Sequence, residues 1–178
     1  MIAEQIDRLC EVLSALESRH RQLYQMAEEK QEAIVGSEID ELMDVVEREE
    51  QLMEEIDDLE ARRRTVSQKL THKIDGIEPG DFNLSALIEY MENMENESML
   101  SGLRERLASQ QESLQKLLRD LERLNEQNRE LLLEAMKFNE FSLKVLLQGA
   151  EPESTYQPDG SGREDNGGQS SSIIDRRA

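Results

Sequence analysis

From Met99 to Leu147 apolar residues recur at two helical offsets. Leu100, Leu107, Leu114 and Leu121 stand seven residues apart, and Asn128, Ala135 and Ser142 continue that row. A second row runs Leu103, Gln110, Leu117, Leu124, Leu131, Phe138 and Val145. Rows offset by three and four residues fall on one face of an α-helix. Sustained over this stretch they predict a coiled-coil seam. No proline interrupts it, and Gly102, near its start, costs roughly 1 kcal/mol against alanine. At ~1.5 Å per residue the helix is about 75 Å long. It cannot bury its own stripe, so the rest of the chain must supply partners for it.

Two earlier stretches carry matching stripes. The first, Ile2 to about Val35, places Ile2, Ile6, Leu9, Leu13, Leu16, His20, Leu23 and Ala27 on one face, with Cys10 at the edge. Gly36 ends it, by the usual use of glycine in the left-handed region. Ser37 is then the expected N-cap of a second helix, with Asp40 three residues on. That helix is predicted from about Glu38 to Ile74, with the stripe Leu42, Val45, Glu49, Leu52, Ile56, Leu59, Arg63, Val66 and Leu70. Glu49 and Arg63 interrupt it, either fixing register or sitting at the margin and reaching solvent. So short a turn forces the two helices antiparallel. Asp75-Gly76 and Pro79-Gly80 close the second helix. Asn83 can cap a short segment with Leu84, Leu87, Ile88 and Met91 on one face. The run Met91 to Asn96 reads as a bend before the long helix, with one continuous helix from Leu84 as the alternative.

The expected fold is all-α: an elongated antiparallel three-helix coiled-coil bundle with a short extra helical segment and a disordered C-terminal tail. Residues 1–148 would form the body and 149–178 the tail. Gly149 and Pro152 end the third long helix, and Gly, Ser, Asp, Glu, Gln and Pro dominate beyond it. Such a composition cannot bury enough apolar area to offset its ordering entropy. Two features break its monotony, Tyr156 and the ending Ile173-Ile174-Asp175-Arg176.

Composition narrows the function. Aromatics are 3% and charged residues 34%, which suits narrow helical seams better than a broad core. A net charge of −19 opposes nucleic acid and anionic membranes as partners. No apolar run approaches the ~20 residues of a membrane span, and Met1-Ile2-Ala3-Glu4 does not begin a signal peptide. One cysteine, Cys10, cannot form an internal disulfide and agrees with a reducing cytoplasm. The search for chemistry yields little. Glu17 and His20 stand three apart, a spacing used in di-iron bundles, but His72 has Lys69 at the corresponding place. No metal site, cofactor or catalytic residue is expected. Gly160-Ser161-Gly162 lacks the third glycine and following helix of a dinucleotide fingerprint, and there is no P-loop.

The run Leu124-Asn125-Glu126-Gln127-Asn128-Arg129-Glu130-Leu131-Leu132 has two asparagines three apart, then a leucine pair and a largely apolar helix end. Together with Thr155-Tyr156-Gln157-Pro158-Asp159-Gly160 and the terminal Ile173 to Ala178, it resembles flagellar export chaperones of the FlgN type. The order of parts covers nearly the whole chain, and the specific motifs only its last third. The resemblance implies a cytoplasmic chaperone of flagellar type III secretion and no enzyme. Its clients would be the two hook–filament junction proteins, held by their C-terminal helical segments and delivered to the membrane export gate. Client binding would fall on Asn125, Asn128, Leu131, Leu132, Ala135, Phe138, Phe141 and Val145, and gate docking on Tyr156, Asp159 and Gly160. Phe138, Phe141, Val145, Leu146 and Leu147 are apolar beyond what one seam needs. They serve either as spare surface for a client helix or as a cap on the bundle's own core. The rival reading is a structural coiled-coil adaptor or self-associating scaffold; the sequence leaves oligomeric state open.

Overall fold

A computed structural model of the chain describes residues 2–74, 83–93 and 98–149. They form four helices, α1 (Ile2–Gly36), α2 (Ile39–Thr71), α3 (Leu84–Asn93) and α4 (Ser98–Gly149), and among the described residues there is no strand. The fold is all-α, with three long helices and a short extra one, as the stripes predict. The chain divides into two compact units, Met1–Phe141 and Ser142–Ala178. Of the second, residues 142–149 are described; they are helical and expose Leu143, Val145, Leu146 and Leu147. The Gly76-to-Gly80 break, the Met94-to-Asn96 bend and the tail expected to be disordered lie outside the described residues.

The α1 stripe buries as its spacing demands: Ile6, Leu9, Leu13, Leu16, Leu23 and Ala27 are all inside. Cys10 is fully buried with them, and burial pushes its thiol pKa up. It is a packing residue with no disulfide partner. The turn to α2 departs from expectation. Ser37, not Gly36, takes the left-handed conformation, at φ 58°. Its N–H donates to the Ile34 carbonyl at 3.2 Å, and the Glu38 N–H to that of Ala33 at 2.9 Å. These two bonds satisfy the last carbonyls of α1 in a Schellman motif. Ser37 is spent on that closure and does not cap α2. Glu38 occupies the N-cap position, without a side-chain capping bond.

Helix α2 returns antiparallel to α1. Lys30 Nζ meets both oxygens of Glu49 at 2.7 Å, Arg48 pairs with Glu29 at 2.6 Å, and Arg19 with Glu55 at 2.9 Å. Val45, Leu52, Ile56 and Leu70 are buried. Glu49 therefore sits half-buried in a cross-helix ion pair, while Arg63 holds Glu60 one turn back on its own helix. The helix stops at Thr71, earlier than the pattern suggests, yet Ile74 beyond it is still buried in the core.

Asn83 caps α3 as predicted, its Oδ1 accepting from the Ala86 N–H at 2.7 Å. Gln111 of α4 donates to Ser85 of α3 at 2.9 Å, and Arg104 pairs with Glu92 at 3.2 Å. Later α3 residues thus meet earlier α4 residues, so α3 folds back antiparallel to α4. The continuous-helix alternative is excluded. The reason is burial: Leu87 and Met91 belong to the same core as Ile6, Leu9, Leu70 and Leu107.

Helix α4 runs parallel to α1. Arg106 pairs with Asp7 at 3.1 Å, Gln110 Nε2 donates to the Cys10 carbonyl at 2.9 Å, and Ser113 to Glu17 at 2.6 Å. Further along, Asn128 Nδ2 donates to the Ala27 carbonyl at 2.7 Å. The two polar residues that interrupt the leucine rows, Gln110 and Asn128, both pin α4 to the α1 backbone through their amide N–H groups. Polar residues in such seams set register at a cost in stability. The cost is visible here, because neither amide oxygen has a partner.

Candidate functional site

Along Met1–Phe141 the bundle changes cross-section. Where α1 begins and α2 ends, α3 completes a ring of four helices around Leu9, Leu70, Leu87 and Leu107. Towards the α1–α2 turn there is no α3, and a groove of about 690 Å³ opens between α1, α2 and α4. Leu23 and Ile34 of α1 form its floor with Leu121 and Asn128 of α4. Leu42, Val46 and Met53 of α2 make one wall, and Leu118, Asn125 and Leu132 of α4 the other. The Lys30–Glu49 pair and Arg129 supply its charges.

The structure separates the residues expected to bind a client. Asn128 is 3% exposed and faces α1, while Leu131 and Ala135 are half-buried. Asn125 and Leu132 are exposed on the groove wall. Phe138 and Phe141 are 69% and 66% exposed. Val145 is also exposed and belongs to the second unit. Asn125, Asn128 and Leu132 are thus brought together at one groove. Tyr156, Asp159 and Gly160, expected to dock on the export gate, lie outside the described residues.

The α2 wall was not among the expected site residues. Part of its signal was present beside the main stripe as Val46 and Met53, seven residues apart; Ile39 and Met43 are apolar too but do not line the groove. All four are exposed large hydrophobics, Met53 at 47%. Exposed apolar residues on a helix that already has its neighbours are the kind of surface a further helix can cover.

Electrostatics divide by region. At the α1–α4 seam the Ser113 hydroxyl and then Arg21 hold the Glu17 carboxyl below its usual value. By the α1–α2 turn, the neighbouring Glu38 carboxyl, through hydrogen bonding and then like charge, raises the Glu41 carboxyl above its usual value. Among the described residues no group of three or more His, Cys, Asp or Glu side chains is placed to hold a metal ion. No described helix is long and apolar enough to cross a membrane.

An all-helical bundle with an open apolar groove between three helices has the build of a protein that holds other helices. The sequence model of the FlgN family, described as FlgN protein, matches residues 1–164. The chain belongs to the FlgN family, the flagellar export chaperones, which bind flagellar export substrates. The matched stretch includes Tyr156 and ends before Ile173. No curated protein and no solved structure matches the chain.

Proposed function

We propose that the chain is a cytoplasmic chaperone that binds the C-terminal helical segments of hook–filament junction proteins, keeps them from assembling early and delivers them to the export gate. The observation that carries this reading is the exposed apolar surface of α4, Leu132, Leu133, Met136, Phe138 and Phe141, in a chain of this family. A client that assembles outside the cell carries an apolar helical face, and such a surface can cover it. The client-binding residues are Asn125, Leu131, Leu132, Ala135, Phe138, Phe141 and Val145, while Asn128, buried beneath them, holds α4 to α1. Tyr156, with Asp159 and Gly160, docks on the export gate: a tyrosine offers a large apolar face and one hydroxyl at low entropic cost. The body, residues 1–148, would hold the client while residues 149–178 reach the gate.

Phe138→Asp with Phe141→Asp removes exposed apolar area and leaves the helical core intact. This double variant should keep its circular dichroism spectrum and lose most of its affinity for a purified junction-protein C-terminal segment. Unchanged affinity would remove these residues from the client site. Tyr156→Ala should leave client affinity unchanged and reduce secretion of the junction proteins. Self-association through the same α4 surface is the competing use, and sedimentation of the free protein separates it from client binding.

A further inference from the structure

Helix α3 and the groove occupy one line along the bundle. Arg104, Gln111, Leu118, Asn125 and Leu132 form a single row of α4, each seven residues from the next. The first two hold α3, through Glu92 and Ser85. The last three line the groove. A row spaced by sevens keeps to one face of a helix over this length. Among the described residues, the face of α4 that seats α3 at one end is therefore uncovered at the other. On α2, Val46 and Met53 repeat the same spacing and face the same space.

We infer that the groove is a fourth-helix seat, and that its occupant is an amphipathic helix of about four turns with an apolar stripe flanked by lysine or arginine. The length follows from the wall: Leu118 to Leu132 spans about 20 Å at ~1.5 Å per residue. The stripe follows from Leu23, Ile34, Leu42, Val46 and Met53, which present carbon to the groove. The basic flanks follow from the rims. Glu50 and Asp57 lie one turn further along α2 than Val46 and Met53, Glu122 one turn further along α4 than Leu118, and all three are exposed. Arg129 is the rim cation of α4 and is paired with Glu126 at 3.2 Å. Opposite charge along a rim selects partners and speeds their encounter more than it adds affinity. The inference rests on the client reading for the identity of the helix; it adds α2 as half of the site and a chemistry for the occupant.

The test uses the full chain and two probes. One is the C-terminal helical segment of a junction protein. The other is a designed helical peptide with a leucine stripe and lysine flanks. Met53→Asp places a carboxylate in the wall. Met43→Asp adds the same charge to α2 at an exposed residue that does not line the groove. By calorimetry, Met53→Asp should weaken both probes at least tenfold and Met43→Asp neither. Glu50→Lys with Asp57→Lys should flatten the salt dependence of binding. If the junction segment binds wild type and Met53→Asp equally, the seat is overturned and the client reading stands. If only the designed peptide binds and Met53→Asp weakens it, the seat stands and the client reading falls. If neither probe binds, or both charge variants weaken binding alike, the seat is overturned.

Discussion

The two ends of the bundle are built from the same kind of sequence and finished differently. At the closed end, four helices bury Leu9, Leu70, Leu87 and Leu107 completely. In the open half the continuations of those rows stay inside, Leu121 and Leu124 among them, but a neighbouring row of α4 and the facing side of α2 leave Leu118, Leu132 and Met53 more than two-fifths exposed. The difference lies in the neighbours: among the described residues, α3 covers that row at the closed end and no helix covers it in the open half. Ten residues of α3 make the difference between a core and a groove. A heptad stripe is thus an offer of burial, and its meaning depends on whether anything accepts it.

The sharpest way to break this comparison is truncation of one leucine from each end. Leu107→Ala should cost about 2–5 kcal/mol, because a fully buried leucine leaves a cavity that the surrounding helices cannot fill. Leu132→Ala should cost less than about 1 kcal/mol, since much of its area already faces water. Denaturant titration of both variants decides it, and equal losses would mean that the groove half is as tightly packed as the closed end.

A smaller effect is expected at the seam that both halves share. Asn128→Leu should raise stability by about 1 kcal/mol, because it removes a buried amide oxygen without a partner and adds apolar contact. A net loss in the same titration would show that the bond to Ala27 outweighs the orphaned oxygen. The α1–α2 turn offers a comparable gain from another source. Ser37→Gly should stabilise by about 1 kcal/mol, since a left-handed serine is strained and glycine is not. Gly36→Ala should not match it: a Cβ there meets Glu38 Cδ at 3.2 Å, and residue 36 is not the left-handed one.

The smallest effects are in the pH dependence. Glu17 is held below the usual carboxylate value, so its stabilising contribution is present above that value and is lost as pH falls through the lower folded one. Ser113→Ala removes the largest cause and should flatten the acid limb of a stability–pH curve. Glu41 has the opposite sign: its raised value means that protonation favours the fold there, and stability is gained as pH falls through it. Glu41→Gln should remove that gain. An unchanged acid limb in either variant would disconnect that contact from folding.

Spacing alone set the helices, because a period of three and four is local information: Ile6, Leu9, Leu13, Leu16, Leu23 and Ala27, then Val45, Leu52, Ile56 and Leu70, then Leu107, Leu121 and Leu124 are buried where it puts them. The sequence by itself also determined the Asn83 cap, where a side chain bonds its own backbone three residues on. The run of paired asparagines and the Tyr156 element carried the family. What it did not determine is which helix accepts which stripe. Gly36 and Ser37 divided their roles by the three-dimensional path of the turn, and α3 separated from α4 because Leu87 and Met91 gain more by folding back than by extending. Asn128 stood in a motif but faces Ala27, and Met53 stood outside the main stripe but walls the groove. A row of leucines is the same string whether its partner is present or absent. Only the packed structure decides that, because burial belongs to pairs of surfaces and the sequence specifies one surface at a time.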